Sequence, residues 1–317
     1  MTSSPSGATP GLGAGSAVLA FDVGGTDTKA ALIDDAGRVL DLVRVTTPVR
    51  KQGTEDAVLE QITALAAGFR DRHPSVSPQA AGLLVPGHVD DASGIGIFSE
   101  NLNWTNVPFR DRASALLGMP VAFSHDVRGA GEAEYRLGAA APFRNVVVMA
   151  IGTGIAGAIF IEGKIYPGGG LAGEMGHSVV ADGPECACGG RGCLEAVASA
   201  GAIARRYNAL AGASVPGAKE VLELALSGDA DAIGIWESAL DALALDLSHT
   251  VALLAPEAIV LGGGLANAGE RLFAPLRQRL DAILTFHRRP ALLAASIGEN
   301  AGVIGAALKA RDLLEAR

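Results

Sequence analysis

From Ala17 onward, short apolar runs alternate with glycine-marked turns. The stretch AVLAFDVGGTDTKAALIDDAGRVLDLVRV predicts a strand, a glycine turn, a second strand, a tight turn at Asp34 to Gly37, and a third strand. Thr54 to Arg70 then sets Val58, Ile62, Leu65 and Phe69 at helical spacing. A linker through Pro74 and Pro78 leads to a buried strand, AGLLVPG, and a loop at His88 to Gly94. FSENLNWTNVPFRD is polar and reads as loop, with a helix over Asp111 to Leu117. VAFSHDV is a strand, followed by a helix over Gly129 to Leu137. At Asn145 the opening plan returns in NVVVMAIGTGIAGAIFIEGKIYPGG, again strand, glycine turn, strand, turn, strand. Helices are expected over Ala196 to Leu210, Ala218 to Leu226 and Ala230 to Leu254. APEAIVLGGGLANAG is a strand entering a glycine turn, and Gly302 to Ala316 a last helix.

Two such openings suggest duplicated lobes, and a chain of 317 residues exceeds the usual size of one core. We expect residues 1–16 to be a disordered tail, 17–126 plus 301–317 a small lobe, and 127–300 a large lobe, with a cleft between the lobes. Aromatics are only 4% against 49% apolar residues, so Ala, Val, Leu and Ile must build the cores. The net charge of −9, with no basic run, argues against nucleic acid or an anionic membrane as the main partner. The longest uncharged apolar run, Asn145 to Ile161, is broken by Gly152, Gly154 and Gly157 and falls short of the roughly 20 residues a membrane helix needs. The first 16 residues carry neither a positive charge nor an apolar core, so they make a poor signal peptide. Three cysteines within one motif fit a reducing cytoplasm better than a disulfide framework.

The chemistry concentrates in five places. His177, Cys186, Cys188 and Cys193 are four soft or borderline ligands in a short glycine-rich segment, the donor set of a tetrahedral structural zinc site. Glu174 and Glu195 bracket it, and carboxylates accept hydrogen bonds from a polyol; the alternative is a flexible loop with free thiols. In DVGGTDTK, Gly24 and Gly25 let backbone amides approach phosphate oxygens, Thr26 and Lys29 add donors, and Asp22 can orient a hydrated magnesium ion, unless this is an ordinary hairpin. Gly152, Thr153 and Gly154 repeat the arrangement, or merely kink a strand. Asp126, where a strand emerges, suits a general base for a sugar hydroxyl or a helix cap. The run Gly262 to Gly264 would let a nucleotide lie against backbone, or is a simple turn.

Together these motifs resemble the ROK family (repressors, open reading frames and kinases). DVGGTDTK, IGTGIAGA, GEMGH, CACGGRGCLE and VLGGGLA occur in family order over nearly the whole ordered chain. The resemblance implies an α/β, two-lobed, ribonuclease-H-like fold of the actin and hexokinase type. It implies a sugar kinase of the bacterial glucokinase or N-acetylglucosamine kinase type, using ATP with Mg2+ and a structural Zn2+. Asp126 corresponds to the base that deprotonates the sugar 6-hydroxyl. Glu174, His177 and Glu195 correspond to groups that hold the ring, and Asn101 to a position near it. Asp22, Gly25, Thr26, Lys29 and Thr153 correspond to contacts with ATP phosphates and magnesium, and Gly263 falls near the adenosine. Family members are often homodimers or homotetramers.

One departure concerns the sugar. Where the family commonly has Asn-Asp, this chain has His125-Asp126, and a neutral imidazole offers one donor and one acceptor in place of an amide. The expectation tilts to N-acetylglucosamine, with glucose close behind; mannose, N-acetylmannosamine and polyphosphate as donor stay open. A silent sugar sensor is the competing reading. A repressor is disfavoured because about 16 residues precede the first strand, too few for a helix-turn-helix module.

Overall fold

The opening hairpin forms where the apolar alternation puts it: β1 (Val18–Val23) pairs antiparallel with β2 (Asp27–Ile33), and β2 with β3 (Val39–Thr46). In this computed structural model, which describes residues 11–316, the chain forms two compact units. The first comprises Met1–Gly138, Gly168–Leu171 and Glu299–Arg317. Its helix α1 (Thr54–Arg72) buries Val58, Ile62, Ala66 and Phe69, the face that the spacing marks out. β4 (Ala80–Val85), buried at every residue, runs parallel to β1.

The next stretch departs from expectation. β5 (His88–Asp90), β6 (Ile95–Ser99) and β7 (Trp104–Val107) form a three-stranded antiparallel sheet where loops were expected. Its polar composition hides the signal, because Trp104 and Val107 face the core while Thr105 and Asn106 between them face out. Then come α2 (Phe109–Leu117), β8 (Val121–His125), parallel to β4, and α3 (Asp126–Leu137). The main sheet has the order β3-β2-β1-β4-β8.

The C-terminal helix, Ala301–Glu315, closes this unit through backbone contact. A Cβ on Gly305 would lie 1.9 Å from the Gly129 carbonyl oxygen, and one on Gly82 would lie 1.9 Å from that of Ala306. These glycines let α3 and β4 approach the helix, so the first unit extends past the expected boundary at Asp126 to include α3. Of the tail expected over residues 1–16, residues 1–10 lie outside the described residues, as does residue 317. The remainder is not loose. Leu12 and Gly15 donate backbone hydrogen bonds to Gly37 and Asp35, and the buried Arg311 donates to the carbonyls of Gly13, Ser16 and Asp34.

The second unit comprises Ala139–Pro167 and Ala172–Gly298. It contains β9 (Val146–Ile151), β10 (Ile155–Ile161), β11 (Lys164–Ile165), α4 (Leu194–Ala198), α5 (Ala200–Ala211), α6 (Ala218–Leu226) and α7 (Ala230–Leu254). β12 (Ala258–Gly262), α8 (Glu270–Ile283) and β13 (Ala291–Ala294) complete it. Its sheet, β11-β10-β9-β12-β13, repeats the first in pairing: an antiparallel run, then two parallel neighbours. The helix expected over Ala196 to Leu210 is two helices, because the Ser199 hydroxyl accepts from the Ala202 amide at 3.0 Å and caps α5 afresh. Met149, Ile259, Leu261 and the α7 residues Trp236, Leu240, Leu243 and Leu247 share one core. Among the described residues no helix is long and apolar enough to cross a membrane.

Candidate active site

In the first unit the turn between β1 and β2 is fastened from outside. The Gly24 amide donates to the Asp27 carbonyl at 2.9 Å, and the Thr47 hydroxyl to the Gly24 carbonyl at 2.7 Å. Thr28 and Thr47 hydroxyls meet at 3.0 Å beneath it, leaving Gly25 and Thr26 exposed at the tip. A Cβ at Gly24 would sit 2.9 Å from the Asp27 carbonyl oxygen, so the turn needs glycine there. Asp22 stands opposite Lys29 in the β1–β2 register. Burial first, and then the Asp126 charge, pushes the Asp22 carboxyl up to about 7, with the Lys29 ammonium opposing. Asp22, Lys29 and Asp126 therefore share one electrostatic neighbourhood. Lys29 is also engaged by Glu299, donating to its carbonyl and lying 3.7 Å from its carboxylate.

Asp126 is the first residue of α3, where backbone amides at a helix start favour a carboxylate. Its Oδ1 accepts from the Val127 amide at 2.7 Å and lies 3.3 Å from Nδ1 of His125, which is only 5% exposed. Arg128, which the sequence did not single out, is 2% exposed and anchors this corner. It donates to Asp91 at 2.9 Å and to the Gly170 carbonyl at 3.1 Å, while the other Asp91 oxygen accepts from Ser124 at 2.8 Å. An arginine in an amphipathic stretch reads as surface; only the tertiary fold shows it as a tie between β8, α3 and the loop after β5. Asn101 lies exposed in the turn between β6 and β7.

The second unit brings its expected residues together more tightly. Glu195, in the first turn of α4, accepts from the Ile155 amide at 2.8 Å. A Cβ on Gly154 would lie 2.5 Å from the same carboxylate oxygen. Gly154 thus serves the carboxylate of Glu195, a reason for that glycine that spacing did not suggest. The Gly152–Gly154 turn is closed by a 2.9 Å backbone bond and tied to α5 through the Ala200 amide, which donates to the Gly152 carbonyl at 2.9 Å. Thr153 is exposed at its tip. Gly263 has φ 81°, and a Cβ there would fall 2.5 Å from the Ile151 carbonyl oxygen, so it abuts the strand end that leads into the Gly152 turn.

Glu174 precedes a 3-10 turn over Met175–His177, and the His177 amide donates to the Glu174 carbonyl at 3.0 Å. Backbone bonds from Val180 to Gly192 and from Leu194 to Ser178 fold the cysteine loop back on this turn. The four candidate ligand atoms of His177, Cys186, Cys188 and Cys193 lie within 4.8 Å of one another. Nδ1 of His177 is 3.6 Å from the Cys186 sulfur, and the Cys188 and Cys193 sulfurs are 3.7 Å apart. That separation is far beyond a disulfide bond and close to the edge, about 3.8 Å, of a tetrahedron built on Zn–S bonds of about 2.3 Å. The thiols are unequal. The Gly190 amide draws the Cys188 pKa down, whereas burial and then the neighbouring thiols push Cys193 up to about 12. Three sulfurs packed so closely could all be thiolates only beside a cation, which a divalent metal would supply. The donor set and its spacing fit zinc.

A ROK family model matches residues 18–312. The chain belongs to the ROK family. Glucokinase from Thermotoga maritima is 35% identical over 310 residues, 92% of this chain and 96% of that protein. N-acetylmannosamine kinase from Citrobacter koseri is 31% identical over 297 residues, 92% and 98% of the two chains. A ROK glucokinase from Streptomyces griseus, solved with glucose and AMPPNP, is 32% identical and superposes with a TM-score of 0.79 over 93% of this chain and 99% of its own. The α/β architecture is that of the ROK kinases, the actin and hexokinase type of fold.

Proposed function

We propose that this ROK protein is an ATP-dependent sugar kinase that transfers the γ-phosphate to the 6-hydroxyl of a gluco-configured hexose. The observation that carries the reading is the sheet register, which sets Lys29 opposite Asp22 and runs from Asp22 across Leu84 to Ser124, two residues before Asp126: a base in the neighbourhood of a carboxylate and a cation suited to magnesium and phosphate. Phosphoryl transfer asks for positioning, charge stabilisation and one acceptor at the attacking hydroxyl, and these three residues provide each kind of group. Gly24, Gly25 and Thr26, with Gly152, Thr153, Gly154 and Gly263, are assigned to ATP. Asn101, His125, Glu174, His177 and Glu195 are assigned to the sugar. In this assignment His177 turns Nδ1 to the metal and offers Nε2 to the ring. Zinc would order the loop without activating the nucleophile, since four protein ligands leave no open position.

Glucokinases among the relatives move glucose ahead of N-acetylglucosamine as first candidate, and the N-acetylmannosamine kinase keeps 2-acetamido sugars on the list. The test is a coupled assay of ATP with a panel of hexoses and N-acetylhexosamines, compared by kcat/KM. Glucose is expected to rank first. Absence of turnover on every sugar, with binding retained, would favour a sugar sensor instead.

A further inference from the structure

The long helix α7 buries a mostly apolar face with two hydroxyl residues, Ser248 and Thr250, and one carboxyl residue, Asp246, which is 3% exposed and is not among the residues assigned above to sugar, ATP or metal. One of its oxygens, Oδ1, contacts the Ser178 hydroxyl; the other, Oδ2, is buried with no partner among the described residues. A carboxylic acid in an apolar helix face is costly unless its hydrogen bonds serve something. Ser178 directly follows His177, and its hydroxyl also lies 2.8 Å from the Met175 carbonyl, so it spans the 3-10 turn of Met175–His177 from end to end. The backbone of Ser178 is committed as well: its amide donates to Met175 at 3.1 Å, and its carbonyl accepts from Leu194, next to Glu195, at 2.9 Å. Ser178 is therefore the joint between the turn bearing Glu174 and His177 and the helix bearing Glu195.

We propose that Asp246 is a positioning residue for the sugar-binding turn, holding the Ser178 joint and through it the carboxylate of Glu174 and the ring of His177. The inference rests on the sugar-kinase reading. Counting hydrogens gives the form of the link. The Ser178 hydroxyl has one hydrogen and two acceptors beside it, Met175 O and Asp246 Oδ1. The chain closes fully when Asp246 is the neutral acid, donating to Ser178 Oγ, which then donates to Met175. Burial favours this form, raising the carboxyl above its ordinary range. An amide at this position can make the same donation.

The test uses Asp246→Ala, Ser178→Ala and Asp246→Asn in the full chain, with steady-state kinetics, zinc content and calorimetric glucose affinity. Asp246→Ala and Ser178→Ala are expected to raise the KM for glucose about 10- to 100-fold, as loss of an orienting partner does. The kcat and the KM for ATP should move less than about threefold, with zinc still stoichiometric, because the three thiolates are untouched. Asp246→Asn should stay within about threefold of wild type in every parameter. Were Asp246→Ala not to fold, Ser178→Ala and Asp246→Asn would carry the comparison. An unchanged glucose KM in both alanine variants overturns the proposal whatever happens to Tm, as does loss of zinc in step with the rise in KM. A wild type without turnover would count against the kinase reading alone, and glucose affinity in the same variants would then decide the role of Asp246.

Discussion

At the scale of single residues, Asp22 carries the sharpest consequence. Its carboxyl, ordinarily at 3.8, stands at about 7 in the fold, through burial and the neighbouring Asp126 charge. Between pH about 4 and 7 the folded chain keeps a proton that the unfolded chain has released, so this group's contribution to stability falls as pH rises through that window and is flat above it. The slope is at most about 1.4 kcal/mol per pH unit. Asp22→Asn cannot ionise. In buffer without nucleotide or divalent cation, its Tm should gain on wild type from pH 5 to pH 8; parallel Tm curves would mean that Asp22 is not held in this way. The sequence made Asp22 visible as the last polar residue of an apolar strand beside two glycines. It did not make visible Arg128 and Asp91, which fasten the Asp126 corner, or Glu299, which engages Lys29 from the far end of the chain. These are polar residues whose partners are remote in sequence, and no local period marks such pairs.

At the scale of elements, legibility followed periodicity. The two strand-turn-strand openings and α1 carry clear apolar spacing, and they form as read. The sheet of β5, β6 and β7 was missed because only scattered positions such as Trp104 and Val107 face inward in a polar stretch. The Ser199 break was missed because a cap within an alanine-rich run looks like one more helical residue. Glycines in the C-terminal helix were also silent, since close approach is a property of the pair of elements. Gly305→Ala tests that packing: the new methyl meets the Gly129 carbonyl oxygen, which no rotamer can avoid, so the helix must shift. A loss of about 1–3 kcal/mol is expected in urea unfolding; an unaltered midpoint would show the contact to be soft. The cysteine loop obeys a different logic, in which a bound metal would take the place of a core. Cys188→Ser leaves two thiols and His177 and should strip zinc to well below one equivalent by elemental analysis. A fully active, metal-free protein would remove zinc from the loop's structure.

At the scale of the molecule, the two units show the same sheet plan and carry different proposed site residues. Asp22, His125 and Asp126 stand on the first, and Glu174, His177 and Glu195 on the second. The repeat was readable because each unit opens with the same hairpin. The division of roles proposed above rests on the family motifs, since a glycine turn by itself does not say what it holds. If both sets serve one reaction, binding and chemistry should separate by variant. Glucose at about 100 times its Kd should stabilise the wild type by about 2.7 kcal/mol, read as a rise in Tm. Asp126→Asn should keep that shift while turnover falls about 10²- to 10⁴-fold, because the base acts on the hydroxyl proton and not on the ring. Glu195→Gln, which alters a carboxylate already anchored on the Ile155 amide, should behave in the opposite sense, with the glucose shift reduced and the response to an ATP analogue kept. Equal glucose shifts in Glu195→Gln and wild type would take Glu195 out of the sugar site. Turnover in Asp126→Asn within a few-fold of wild type would take away the base, and with it the reason for grouping Asp126 with Asp22.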